Sequence, residues 1–219
     1  MALVDFMSVL HKKTQRDYLG RVNAVPKAEA ARKAGQWAHD YWDGSRDTGY
    51  GGYKYDGRWR LVADQLVKHY GLKAGDKVLD VGCGKAFLLY DLMQAVPGLV
   101  VAGRDISTYG LAHAPEAVRP FLTPGCASEL PYADKSFDLV ISINTLHNLP
   151  CRLLERALRE MERVGRQKYL CVESYRNEEE KVNLLYWQLT CLSFYSPDDW
   201  QWWFEHTGYS GDYSFIYFE

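Results

Sequence analysis

The 219-residue sequence has no apolar run near the roughly 18–20 residues that cross a bilayer, so no transmembrane helix is expected. Its first residues, MALVDFMSVLHKKTQRDYLGR, lack a basic start and a small-residue cleavage site and do not read as a secretory signal. Cysteine is sparse and scattered: Cys83, Cys126, Cys151, Cys171 and Cys191 form no Cys-x-x-Cys pair, which argues against a disulfide framework and a zinc knuckle. No spacing of His, Asp and Glu specifies another metal, so none is expected. These features together predict a cytoplasmic protein in a reducing compartment. Charge of one sign is also missing, with 26 Lys plus Arg against 28 Asp plus Glu for a net −2. That balance excludes a protein held mainly by phosphate backbones or an anionic membrane, so neither nucleic acid nor membrane is expected as a partner.

What is present suits a folded domain. Hydrophobic residues make up 47% of the chain, enough at this length to bury roughly 70–75% of the unfolded surface. The N-terminal part is helical in pattern: an apolar cluster over residues 3–10, then a helix opened by Pro26 and continued by alanines to residue 38. Residues 43–59, DGSRDTGYGGYKYDGRW, are too rich in glycine and tyrosine for a regular element. Residues 58–70 return to helix, with Leu61, Leu66 and Val67 on one side and Gly71 as the stop.

From residue 76 strands and helices alternate. Strands are expected at 77–81, 99–105, 121–122, 137–143, 168–174 and 213–218, with helices at 108–118, 153–164, 178–192 and 197–206. Such alternation predicts an α/β fold with a doubly wound, mostly parallel sheet. The chain reads as a single domain, with residues 1–57 as a helical cap or lid and 58–219 as a Rossmann-like core carrying a helical insertion at 177–207.

The most informative stretch is VLDVGCGKAFLL, residues 78–89. A hydrophobic strand runs into Gly82-Cys83-Gly84 and then directly into a helix, which lets the backbone turn tightly and approach a ligand. Asp105 ends the next strand, where a carboxylate can accept bonds from both ribose hydroxyls. A dinucleotide fingerprint requires a small third residue, but Phe87 stands there, and no Gly-Lys-Ser/Thr makes a P-loop.

Asp80-x-Gly82-x-Gly84, Asp105, and CASELPYADKSFDLVIS at 126–142 resemble the motifs of class I S-adenosylmethionine-dependent methyltransferases. The likeness is greatest to the small-molecule group related to ubiquinone biosynthesis. It implies S-adenosylmethionine as cofactor, with Asp80, Gly82, Cys83 and Gly84 at its methionine part and Asp105 and Ile106 at the ribose. Cys126, Ala127 and Ser128 would then sit at the adenine, and Asn144 near the amine and the methyl group. The chain departs from the family at Ala86, where many members have a third glycine, and at Cys126, where an acidic residue is frequent. After His206 there is room for one strand, where the family usually adds a hairpin.

Candidates for the acceptor side follow the fourth and fifth strands. His147 is the first choice as general base because imidazole titrates near neutral pH, with Glu173, Tyr175 and Arg176 at the mouth of the same cleft. Arg58, together with Tyr50, Tyr53 and Tyr55, suits a lid that binds the cofactor carboxylate. Trp187, Trp200, Trp202 and Trp203 can wall an aromatic or sugar-like acceptor, although such residues more often pack a helix on a sheet. Pro150-Cys151 echoes a cytosine-methylating nucleophile, but the charge and length oppose a nucleic-acid target. The expected activity is methyl transfer to oxygen or nitrogen of a small-molecule acceptor. The alternatives are a protein or peptide side chain as acceptor, and a non-catalytic cofactor-binding subunit. The apolar N-terminal helix leaves a homodimer open.

Overall fold

The computed structural model describes residues 1–11 and 16–219. The N-terminal part contains α1 (Ser8–His11), α2 (Tyr18–Ala24), α3 (Lys27–Ala34), α4 (His39–Trp42) and α5 (Arg60–Tyr70). Then follow β1 (Lys77–Val81), α6 (Phe87–Ala95), β2 (Val100–Asp105), α7 (Thr108–Ala112), β3 (Leu122–Pro124) and β4 (Phe137–Ile143). The chain continues through α8 (Cys151–Val164), β5 (Gly165–Glu173), α9 (Glu178–Trp187), α10 (Pro197–Thr207) and β6 (Asp212–Ile216).

The six strands form one sheet in the order β3-β2-β1-β4-β5-β6, and every pairing is parallel. Strand side chains alternate between two cores. Val78, Tyr169 and Cys171 join the face shared with α5 and α6, while Leu79, Leu170 and Val172 join the face covered by α8 and α10. Each fully buried Leu contributes about 1.5–3 kcal/mol by leaving water. The strand order reverses between β1 and β4, so a crevice opens beyond their carboxyl ends.

Several local expectations change, and the helix expected to run to residue 38 ends at Ala34. Residues 3–10 are not one helix: Leu3 bridges Tyr213 in parallel, and only Ser8 to His11 coil. The Asp5 carboxylate accepts from the Met7 and Ser8 amides at 2.8 Å and sets a turn there, while the free edge of β6 takes the preceding residues as a partner. The helix expected over 108–118 stops at Ala112 ahead of Pro115, and that over 178–192 stops at Trp187 because Gln188 is extended. On α5 the buried stripe is Val62, Ala63 and Leu66, and Leu61 faces solvent. Gly71 does end α5, at φ 65°. No helix among the described residues is long and apolar enough to cross a membrane.

Candidate active site

The turn after β1 is built from left-handed residues: Gly82 at φ 82°, Gly84 at 55° and Ala86 at 54°. The glycines make room for the protein's own side chains. A Cβ on Gly82 would lie 2.1 Å from Thr145 Oγ1, and one on Gly84 would lie 2.5 Å from the Trp42 ring. Asp105 holds this turn. One carboxylate oxygen accepts from the Gly84 amide and the other from the Ser107 amide, both at 2.7 Å.

Beyond the turn lies a cavity of about 120 Å³. Of the residues expected at a nucleoside, Gly82, Asp105, Ile106, Cys126, Ala127 and Asn144 line it together. Four do not. Asp80 is buried beneath the turn, the Cys83 thiol is directed toward Gly103 under the sheet, Gly84 is covered by Trp42, and the Ser128 hydroxyl donates to Cys126 Sγ at 3.1 Å. Trp37, Tyr41 and Trp42 also line it, and nothing in their sequence spacing marked them. They are bolted to the core by Trp42 Nε1 donating to Ser107 Oγ at 2.8 Å. The buried Lys85 ammonium donates to both Asp43 oxygens at 2.7 Å, and Tyr109 donates to the same carboxylate.

A second cavity, of about 230 Å³, adjoins the first, with Tyr41, Tyr50 and Asn144 lining both. Glu173 enters it from the end of β5. Burial pushes the Glu173 carboxyl up to about 8, opposed by a hydrogen bond from Gln188 and by the charge of Arg16. Its Oε2 has no hydrogen-bond partner. His147 faces neither cavity. It is 2% exposed, and burial pulls its imidazole down to about 3, so it is neutral. Its Nδ1 accepts the Glu173 amide at 3.3 Å, and its Nε2 stands 3.4 Å from Glu173 Oε2 without hydrogen-bond alignment. The sequence placed the imidazole in the cleft; the fold seals it behind the carboxylate, a result of tertiary packing after β4.

Arg58 lines the second cavity rather than the first and is paired with Asp56, its Nε 2.7 Å from Oδ2. Tyr175 lies outside both cavities, beside Lys181, and Tyr55 donates outward to Asp91. Trp200 is core, its indole donating to the Glu173 carbonyl, whereas Trp187 lines the second cavity. Cys151 sits on the surface, 3.0 Å from the Tyr195 hydroxyl, and all five cysteines are free thiols. Among the described residues no cluster of His, Cys, Asp or Glu could hold a metal.

A glycine turn, a carboxylate ending β2 and a crevice at the strand reversal define a nucleoside-binding α/β domain. Residues 79–172, somewhat under half of the chain, match the family model described as a methyltransferase domain, and that stretch is of the class I S-adenosylmethionine-dependent methyltransferase type. Its cofactor is S-adenosylmethionine. Among curated relatives, a demethylmenaquinone methyltransferase of Lysinibacillus sphaericus is 35% identical over 127 residues, covering 55% of this chain and 52% of that protein. A 27-O-demethylrifamycin SV methyltransferase of Amycolatopsis mediterranei is 30% identical over 137 residues, covering 58% and 48%. The chain thus spans about half the length of these relatives. The crystal structure of YcgJ from Bacillus subtilis shares the fold at a TM-score of 0.56 and 22% identity, covering 66% of each chain. So does a Haloferax volcanii methyltransferase solved with its Trm112 activator, at 0.53 and 23%, covering 70% of this chain and 73% of that one.

The residues present fit the cofactor. The site holds acceptors short of donors: the Asp80 carboxyl is buried with the half-buried Asp105 carboxylate near enough to raise its pKa, and Asn144 Oδ1 is buried without a partner. Burial and the Asp105 charge push the Asp80 carboxyl up to about 8, with no hydrogen bond to offset them. A ligand with an ammonium group, a sulfonium and two ribose hydroxyls supplies what these groups lack.

Asp80 therefore makes stability depend on pH. Between its ordinary value of 3.8 and about 8 the folded state holds a proton that the unfolded chain has lost, and Glu173 acts in the same direction from 4.5. Their stabilisation is complete below those lower values and is lost as pH rises toward 8. The ligand-free protein should melt at falling temperature from pH 5 to 8. Asp80→Asn should flatten that slope and raise the melting temperature at pH 8. Calorimetric melts across the range decide it; a wild-type slope retained in Asp80→Asn would remove Asp80 as the cause.

Proposed function

We propose that this chain transfers the methyl group of S-adenosylmethionine to an oxygen or nitrogen of a small-molecule metabolite. The observation that carries this reading is the pair of adjoining cavities, one at Asp105 and one at Glu173, with Tyr41, Tyr50 and Asn144 as the common wall. When bound, the cofactor supplies an activated methyl group on a positively charged sulfur, open to in-line displacement. The chain's own part is to align the acceptor, exclude water and take a proton.

Asp105, with Gly82 and Ile106, would hold the ribose, Cys126 and Ala127 the adenine, and Asn144 the positive end, with Asp80 acting from beneath the turn and not as a contact. Glu173 is the proton acceptor, since a carboxyl held near 8 is matched to a hydroxyl or ammonium losing its proton near neutrality. His147 acts through Glu173, fixing its backbone at the cavity wall. Tyr175 has no step in this scheme. Residues 1–57 serve as the cap over a 58–219 core that carries the 177–207 insertion. The curated relatives, named for small-molecule acceptors, support a metabolite over a protein side chain, and the free thiols support a reducing cytoplasmic setting.

Calorimetric titration with S-adenosylmethionine, S-adenosylhomocysteine and NAD tests the reading. The first two should bind at micromolar concentration and NAD should not; NAD binding alone would replace methyl transfer with an oxidoreductase activity.

A further inference from the structure

The cavity beside Glu173 is walled by guanidinium groups. Arg16, Arg21 and Arg46 gather on the Trp187 ring, 5.5, 4.5 and 5.7 Å from its centroid, although Arg46 lies 25 residues beyond Arg21 in the chain. All three line the cavity. None is ion-paired among the described residues. Arg21 donates to the carbonyls of Trp187 at 3.0 Å and Arg46 at 2.8 Å, Arg46 donates to the Tyr50 carbonyl at 2.8 Å, and Arg16 Nε is buried with no acceptor. Residues 12–15, Lys-Lys-Thr-Gln, carry no acid that could neutralise them.

The remaining charges do not balance the cluster. Arg58 is spent on Asp56. Glu173 is uncharged below about 8 because it is buried. Burial and the neighbouring Arg46 charge lower the Arg21 pKa, opposed by a smaller contribution from Asp47. Like charges gathered in a half-dry space repel one another, and an oxyanion meeting several guanidiniums relieves that repulsion with charge-assisted bonds.

Resting on the methyl-transfer reading, we propose that the acceptor is itself an anion, a small hydroxylated or aminated molecule whose carboxylate or phosphate sits on Arg16, Arg21 and Arg46. Its nucleophilic group then points to Glu173, across the shared wall from the cofactor cavity. The cluster thereby selects the substrate by charge and fixes its orientation. A cavity of about 230 Å³ holds a single substituted ring.

The test uses the intact chain with S-adenosylhomocysteine present and three probes: 4-hydroxybenzoate, phenyl phosphate and neutral 4-hydroxybenzamide. At least one anion should bind by calorimetry about tenfold or more tightly than the amide. Binding of the first alone identifies a carboxylate, and of the second alone a phosphate. Arg21→Gln and Arg46→Gln should each weaken the anion about tenfold. Arg46→Lys, which keeps the charge, should retain most of the affinity and guards against a folding artefact. An amide that binds as well as the acids, anion affinity unchanged in both Gln variants, or no anion binding at all would overturn the proposal. S-adenosylhomocysteine affinity is measured in the same experiment. If that ligand fails while an anion binds through the arginines, the cofactor reading falls and the anion site stands.

Discussion

Asp105→Ala should weaken S-adenosylhomocysteine binding about 100-fold or more, two charge-assisted hydrogen bonds being worth about 1.5–3 kcal/mol each. The carboxylate is held rigid by two backbone amides at 2.7 Å, from Gly84 and Ser107, while it lines the cavity. A ligand's hydroxyls therefore meet an acceptor that is already oriented and loses little freedom on binding. Alanine also leaves both amides without their partner and should loosen the turn. Asp105→Asn separates the two effects: it keeps an acceptor and most of the packing, so its loss should be nearer tenfold. Near-wild-type affinity in Asp105→Ala, with folding verified by circular dichroism, would remove this residue from the cofactor site.

Glu173→Gln should lower turnover by about 10²–10⁴-fold, the usual range for losing a general base, with S-adenosylhomocysteine affinity unchanged. The substitution is close to isosteric, and the Gln188 amide can still donate to the remaining oxygen. Because the Glu173 carboxyl is held near 8, the wild-type rate should climb as pH rises toward that value, when the acceptor's proton finds an ionised carboxylate. The Gln variant should show a low rate without that limb. His147→Ala, which removes the acceptor of the Glu173 amide, should reduce turnover less and stability more. A Gln variant with full turnover and an unchanged pH profile would mean that the acceptor arrives already deprotonated or that another group takes its proton.

The parts of this fold legible in the sequence are those with a one-dimensional cause. β1 and β4 occupy the expected residues because a strand buried on both faces needs a short continuous apolar run, and KVLDV and FDLVISI are such runs. Gly71 ends α5 in the left-handed conformation, a local matter of one turn. The glycine turn, the carboxylate ending β2 and the position after β4 follow from strand order, since parallel strands bring their carboxyl ends together. Gly82, Asp105, Cys126, Ala127 and Asn144 accordingly meet at one cavity despite their separation in the chain.

What the sequence could not determine lies where distant segments compete for the same space. Only packing decided that Trp42 would cover Gly84 and bond to Ser107, or that His147 would be sealed away and Glu173 left facing a cavity. Arg58 was drawn off by Asp56, two residues before it, while Arg21 reached the Trp187 carbonyl 166 residues on. Periodicity and spacing report which faces are apolar and which turns are possible, so the sequence by itself determined a parallel α/β sheet with a nucleoside crevice. They carry no information on which charged groups meet across loops. Charge pairing and desolvation depend on distances set by the whole fold, and for that reason the choice of Glu173 over His147 and the gathering of the arginines were decided by tertiary structure.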